Sequence, residues 1–156
     1  MRFTKRRTLI GAACLTAAAT LVAVPAVGDD GAPLISSGVV GSQLTDPVLA
    51  GATPGGKPWV VRPSSIRVTR DGMIRARIRG LVIPDAPFNG TNPVPLLAAS
   101  LVCGGQVVAT TGTVPFSLAG DAVIKAKVAV PARCLAPAVL LSPNGIATVY
   151  IGATGA

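Results

Sequence analysis

Apolar and polar positions alternate most cleanly between Ser64 and Ile83, SSIRVTRDGMIRARIRGLVI. Ile66 and Val68 flank Arg67, while Ile74, Ala76 and Ile78 alternate with Arg75, Arg77 and Arg79. A period of two predicts half-buried strands, and Asp71-Gly72 between the two runs predicts a hairpin turn. The pattern also sets the loop length. A two-residue loop of Asp71 and Gly72 would put Val68 opposite Arg75 and Ile66 opposite Arg77, mixing core with surface. A three-residue loop, Arg70-Asp71-Gly72, puts Val68 opposite Ile74 and Ile66 opposite Ala76. A slip of one residue turns every side chain to the other face, so the second register is the one expected. Gly72 then takes the left-handed position of a type I turn followed by a bulge.

The same reading extends along the chain. Trp59-Val-Val-Arg62 opens the ordered sheet, with Trp59 expected as a packing residue, and Pro63 breaks the run. Pro84 to Pro95 reads as a loop with Phe88 tucked against the sheet. Leu96 to Cys103 and Gln106 to Thr113 read as strands joined by the Gly104-Gly105 turn. Pro115-Phe116 begins a crossing to Ala122–Val130, where Ala122, Ile124, Ala126, Val128 and Val130 face inward and Val123, Lys125, Lys127 and Ala129 outward. Ala138–Leu141 and Ile146–Gly152 form a last hairpin about Ser142-Pro-Asn-Gly145. Seven to nine short strands with turns about every ten residues predict an all-β chain, a single antiparallel β-sandwich of immunoglobulin-like kind; a small barrel is the alternative.

The start of the chain follows other rules. Arg2, Lys5, Arg6 and Arg7 precede an uncharged apolar run from Leu9 to Val24, and small residues follow. That run is 16 residues, shorter than the roughly 20 that a spanning helix needs. Residues 1–28 therefore read as a cleaved signal peptide, which leaves no transmembrane span, and Cys14 as one of its buried residues. Arg6-Arg7-Thr-Leu-Ile10 resembles a twin-arginine signal, so export by the general or the twin-arginine route is expected, to a secreted, extracellular location. Residues 29–57, rich in Gly, Pro, Ser and Ala, read as a flexible arm with one strand near Ser37–Val40, and 58–156 as the sandwich domain.

Charge sharpens the picture. The whole chain carries +8, but four of its 14 basic residues lie in the signal; ten then stand against six acids, a net charge of +4. Between Lys57 and Arg79 there are seven basic residues and one acid, Asp71. The basic balance is thus local to the hairpin and the strand before it. Arg67, Arg75, Arg77 and Arg79 form its outer set, with Arg67 opposite Arg75. They read either as a solvated face that discourages edge pairing or as an anion-binding face, since guanidinium groups suit phosphate, sulfate and carboxylate. Lys125 and Lys127 read as plain surface lysines rather than as an extension of the basic patch. Outside the signal only Cys103 and Cys134 remain, and an even count in an exported chain predicts a disulfide.

The stretches Gly80-Leu-Val-Ile-Pro84, Cys134-Leu-Ala-Pro137, Ser142-Pro-Asn-Gly145 and Tyr150-Ile-Gly-Ala153 resemble small secreted β-sandwich proteins of high-GC Gram-positive bacteria. The resemblance spans most of Trp59 to Ala156. It implies secretion and the sandwich fold, and it implies no activity and no site residues.

Composition narrows the chemistry. The chain has no histidine and no glutamate, which removes histidine-based nucleophiles and histidine metal sites. Two cysteines without histidine cannot complete a zinc shell. Asp29, Asp30, Asp46, Asp71, Asp85 and Asp121 fall in the arm or in turns, away from any paired-carboxylate arrangement. No catalytic residue, metal or cofactor is expected. Aromatics beyond the signal are Trp59, Phe88, Phe116 and Tyr150, a thin platform for sugars or single-stranded nucleic acid, so no specific nucleic-acid partner is expected. The reading is a secreted, non-enzymatic interaction or structural domain whose arginine face meets an anionic cell-envelope polymer or an acidic protein. The alternative is a small-molecule-binding sandwich with a pocket near the 84–95 loop.

Overall fold

The computed structural model describes residues 31–155. The expected signal peptide, with Cys14 and the twin arginines, lies outside them. Among the described residues twelve strands form: β1 (Pro33–Ser37), β2 (Val39–Gly41), β3 (Thr53–Pro54), β4 (Ser65–Thr69), β5 (Met73–Ile78), β6 (Leu96–Cys103), β7 (Gln106–Thr110), β8 (Val114–Pro115), β9 (Ala122–Lys127), β10 (Ala138–Pro143), β11 (Val149–Tyr150) and β12 (Gly152–Thr154). There is no helix among the described residues, hence none long and apolar enough to cross a membrane. A front sheet runs β1-β4-β5-β9, and a back sheet runs β2-β12-β10-β6-β7 with β8 also on β6. Both are antiparallel. The expected antiparallel sandwich is the observed fold, with more strands than the seven to nine anticipated.

The core lies between the sheets. Ile66, Val68, Ile74, Ala76, Ile78 and Ile124 supply it from the front; Leu97, Ala99, Leu101, Val139 and Leu141 supply it from the back. All are buried to 3% exposure or less, and each large aliphatic side chain so buried contributes about 1.5–3 kcal/mol. Trp59 is buried among them, and Phe88 packs against them from its loop. The hairpin has the expected register, with Val68 opposite Ile74, Arg67 opposite Arg75 and Ile66 opposite Ala76. Gly72 has φ of 88° and donates to the Thr69 oxygen at 2.9 Å; a Cβ there would stand 1.9 Å from the Val128 oxygen.

Trp59–Arg62, read as opening the sheet, forms no strand, and its one β-bridge joins Val60 to Val82. Three further features differ from the sequence reading. The stretch read as an arm enters both sheets: β1 lies beside β4, β2 beside β12, and Ile35 and Val39 reach the core. In place of the one strand expected near Ser37–Val40 there are two short strands that change sheet at Gly38. Second, β6 is buried on both faces, as its nearly unbroken apolar run permits. Leu49, Ala50, Ala52 and Tyr150 cover its outer side near Val102 and Leu140, and the Tyr150 hydroxyl donates to the Pro47 oxygen at 2.7 Å. Third, the last hairpin is interrupted. β12 returns along β10, whereas β11 leaves to pair in parallel with β3. Cys103 and Cys134 are bridged, with Cα atoms 4.8 Å apart, fastening the end of β6 to the loop before β10.

Candidate functional site

The outer face of the front sheet is built by register. Ser36, Arg67, Arg75 and Lys125 stand in one row across β1, β4, β5 and β9. The next row is Ser65, Arg77 and Val123. Opposed residues on one face have Cβ atoms about 4.5–5.5 Å apart, so three cations share one short line. Arg67, Arg75, Arg77 and Lys125 are all exposed. The only ion pair among the described residues is Lys127 with Asp71, at 3.8 Å. Asp71 also accepts from the Thr69 hydroxyl; that bond first and Lys127 second hold its carboxyl below the usual range, against the opposing effect of partial burial.

Of the four arginines singled out in the sequence, Arg67 and Arg75 lie on the open face. Arg77 and Arg79 also line a groove of about 930 Å³ at the end of β5, and Arg62 joins them there. The chain at Arg62 is tied to Arg79. The Arg62 N–H donates to the Arg79 oxygen at 3.0 Å, and the Ser64 hydroxyl accepts from the Arg79 N–H at 2.9 Å. Gly80, with φ of 55°, makes room for the Arg62 side chain; a Cβ would come within 2.6 Å of its Nε.

The opposite wall is apolar. Pro93, Val94 and Pro95 come from the end of the long loop, Pro115 to Leu118 from the crossing before β9. Asn92, 1% exposed, locks these two segments together. Its side-chain amide donates to the Val94 oxygen at 2.7 Å and the Ser117 oxygen at 2.9 Å, while its Oδ1 accepts from the Val94 N–H at 2.8 Å. Its backbone N–H donates to the Leu118 oxygen at 2.8 Å. Asp121 is the groove's one acid, and its Oδ1 accepts from the Gly80 N–H at 2.9 Å. The groove is thus fixed by hydrogen bonds on three sides.

Lys125 reads in the sequence as a plain surface lysine, and Arg62 is not singled out there. Lys125 was on the expected outward face of its strand, but its neighbour was not legible because three strands intervene between β5 and β9. Arg62 carries no local signal; its position depends on the distant Gly80. No cluster of three or more Cys, Asp, Glu or His that could hold a metal occurs among the described residues. No family model matches the chain, and neither a curated protein nor a solved structure is significantly similar to it.

Proposed function

We propose that this protein is an exported, non-enzymatic binding or structural domain that meets an anionic component of the cell envelope with the outer face of its front sheet. The observation that carries the reading is the row Arg67–Arg75–Lys125 with Arg77 beside it, exposed and without an acidic partner among the described residues. A merely solvating surface interleaves signs, whereas like charges directly opposite each other cost stability. Guanidinium groups in a row offer bidentate contacts to successive phosphates or carboxylates of a polymer. The disulfide fits an oxidising compartment.

Several carboxylates are already engaged in structure. Asp46 accepts from the Gln43 N–H, Asp71 from the Thr69 hydroxyl and Asp121 from the Gly80 N–H. That favours binding over catalysis.

The test is retention of the full chain on isolated envelope fractions and on phosphocellulose across a salt series. The double variant Arg67→Ser/Arg75→Ser is run beside it. Retention that declines with salt and is lost in the variant is the expected result, because screening acts on exposed charges. Equal retention of both proteins would overturn the reading.

A further inference from the structure

We infer that the groove at the end of β5 binds a single-chain anionic amphiphile, its head on Arg62, Arg77 and Arg79 and its chain along the proline wall. The inference rests on the anionic reading of the arginines, since Arg77 belongs to both surfaces, and adds an apolar half to it.

Three arginines against one hydrogen-bonded aspartate leave the groove positive at one side. The other side offers proline rings and aliphatic groups, with the exposed Ser117 its one hydroxyl, whose oxygen accepts from the Asp121 N–H at 3.0 Å. Asn92 spends its amide within the protein. Aromatic stacking, which sugars and bases favour, is not on offer, for Phe116 is 5% exposed and sits at the floor. A ligand matched to both walls carries an anion at one end and a flexible apolar body at the other.

Two rim residues support the chain-binding half. Leu118 is 74% exposed and Val123 67% exposed, although both line the groove. Val123 stands directly opposite Arg77 across the β5–β9 pair. Large aliphatic groups at the mouth, next to cations, are placed to cover a hydrocarbon chain whose head is held. The volume, about 930 Å³, lies within the usual range of small-ligand sites, about 300–1,000 Å³. The walls are also preformed, so little ordering opposes binding.

Calorimetry with the full chain tests this, residues 1–30 being common to every protein compared. The probe is decyl phosphate below its critical micelle concentration. The controls are inorganic phosphate, which lacks the chain, and decyltrimethylammonium, which keeps the chain and reverses the head. One site is expected for decyl phosphate, at least tenfold tighter than for either control. Leu118→Ser/Val123→Ser should weaken decyl phosphate at least tenfold, with phosphocellulose retention unchanged. Arg79→Ser should weaken it as well and make the remaining binding less salt-sensitive. Both rim residues are exposed, so these variants keep the fold.

Decyl phosphate no tighter than inorganic phosphate would overturn the inference. So would equal affinity for the cationic amphiphile, or binding only to micelles or anionic vesicles. In each case the sheet face stands if Arg67→Ser/Arg75→Ser still abolishes retention. Absence of salt-sensitive retention of the unaltered chain on phosphocellulose without any amphiphile present, with decyl phosphate still bound in calorimetry, would instead overturn the face and keep the groove.

Discussion

Replacing Arg75 by threonine should stabilise the fold and weaken binding at once. Arg75 lies between Arg67 and Lys125 in one cross-strand row, so its removal ends two like-charge contacts. With charged tips about 7 Å apart in water, each contact costs about 0.6 kcal/mol before screening. A Debye length of about 30 Å at 0.01 M salt leaves most of that cost, about 1 kcal/mol for the pair of contacts. At 1 M the length is about 3 Å, and only about 0.1 kcal/mol survives. Threonine's strand preference adds a few tenths of a kcal/mol that salt does not remove. The expected gain is therefore about 1 kcal/mol at low salt, or roughly 3–5 °C in melting temperature, shrinking to a few tenths at high salt. Thermal unfolding by circular dichroism at the two salt concentrations reads this directly. Polymer retention should decline in the same variant. A variant less stable than the parent, or a gain independent of salt, would refute the reasoning. The first result would mean that Arg75 is held by a favourable interaction within the fold, the second that the gain is strand preference and not relieved repulsion.

The remaining predictions concern the frame that holds the site. Cys103→Ala opens a bridge spanning 31 residues and should cost roughly 3–4 kcal/mol on the loop-entropy estimate, read as a lower denaturant midpoint; an unchanged midpoint would reject the bridge as a stabilising element. Asn92→Asp keeps the shape but replaces the donor amide with an anion facing the Val94 and Ser117 oxygens. It should destabilise by about 2 kcal/mol or more and weaken decyl phosphate binding further than its stability loss explains. Burial first, and the Asp46 carboxylate second, raise the pKa of Tyr150. The unfolded phenol therefore ionises more readily, so this share of stability is complete below the ordinary value of 10.0 and is lost as pH rises through the folded value. Tyr150→Phe should flatten the alkaline end of the stability profile while costing about 1 kcal/mol at neutral pH for the bond to Pro47.

What was legible in the sequence was local. The hairpin register follows from the alternation over Ile66–Val68 and Ile74–Arg79 and from one glycine, because a slip would bury arginine. The inner and outer sets of β9 follow from the same alternation. What was not legible depends on contacts distant in the chain. β1 and β2 are short and rich in small residues and left only a single strand signal near Ser37–Val40; neighbours, not propensity, hold them in the sheets. The parallel pairing of β11 with β3 joins Val149 to Thr53 and leaves no periodic trace. Half of the candidate site had the same fate. The four arginines were visible as a run, but their division between open face and groove was not. It depends on where β5 ends and on Asn92 drawing the 92–95 and 115–118 segments together.

On the proposed reading, that division assigns the arginines two tasks that one fold can hold apart. Arg67 and Arg75 sit mid-strand, where backbone pairing on both sides fixes their spacing along a line. A rigid line suits a repeating polyanion, whose charges also come at fixed intervals. Arg79 lies beyond the end of β5, with Arg62 laid across Gly80 beside it, and these two converge on a concavity. Convergent cations suit one compact head group. Arg77, last outward residue of β5, belongs to both. An occupied groove therefore removes one cation from the line, and a polymer on the line competes for one of the three that hold the head. The two ligands should bind with mutual antagonism carried by Arg77, and Arg77→Ser should weaken each of them while removing the antagonism between them. Retention on phosphocellulose measured with and without saturating decyl phosphate reads that coupling. Antagonism that persists in the Arg77→Ser chain would show that the two sites communicate by some other route.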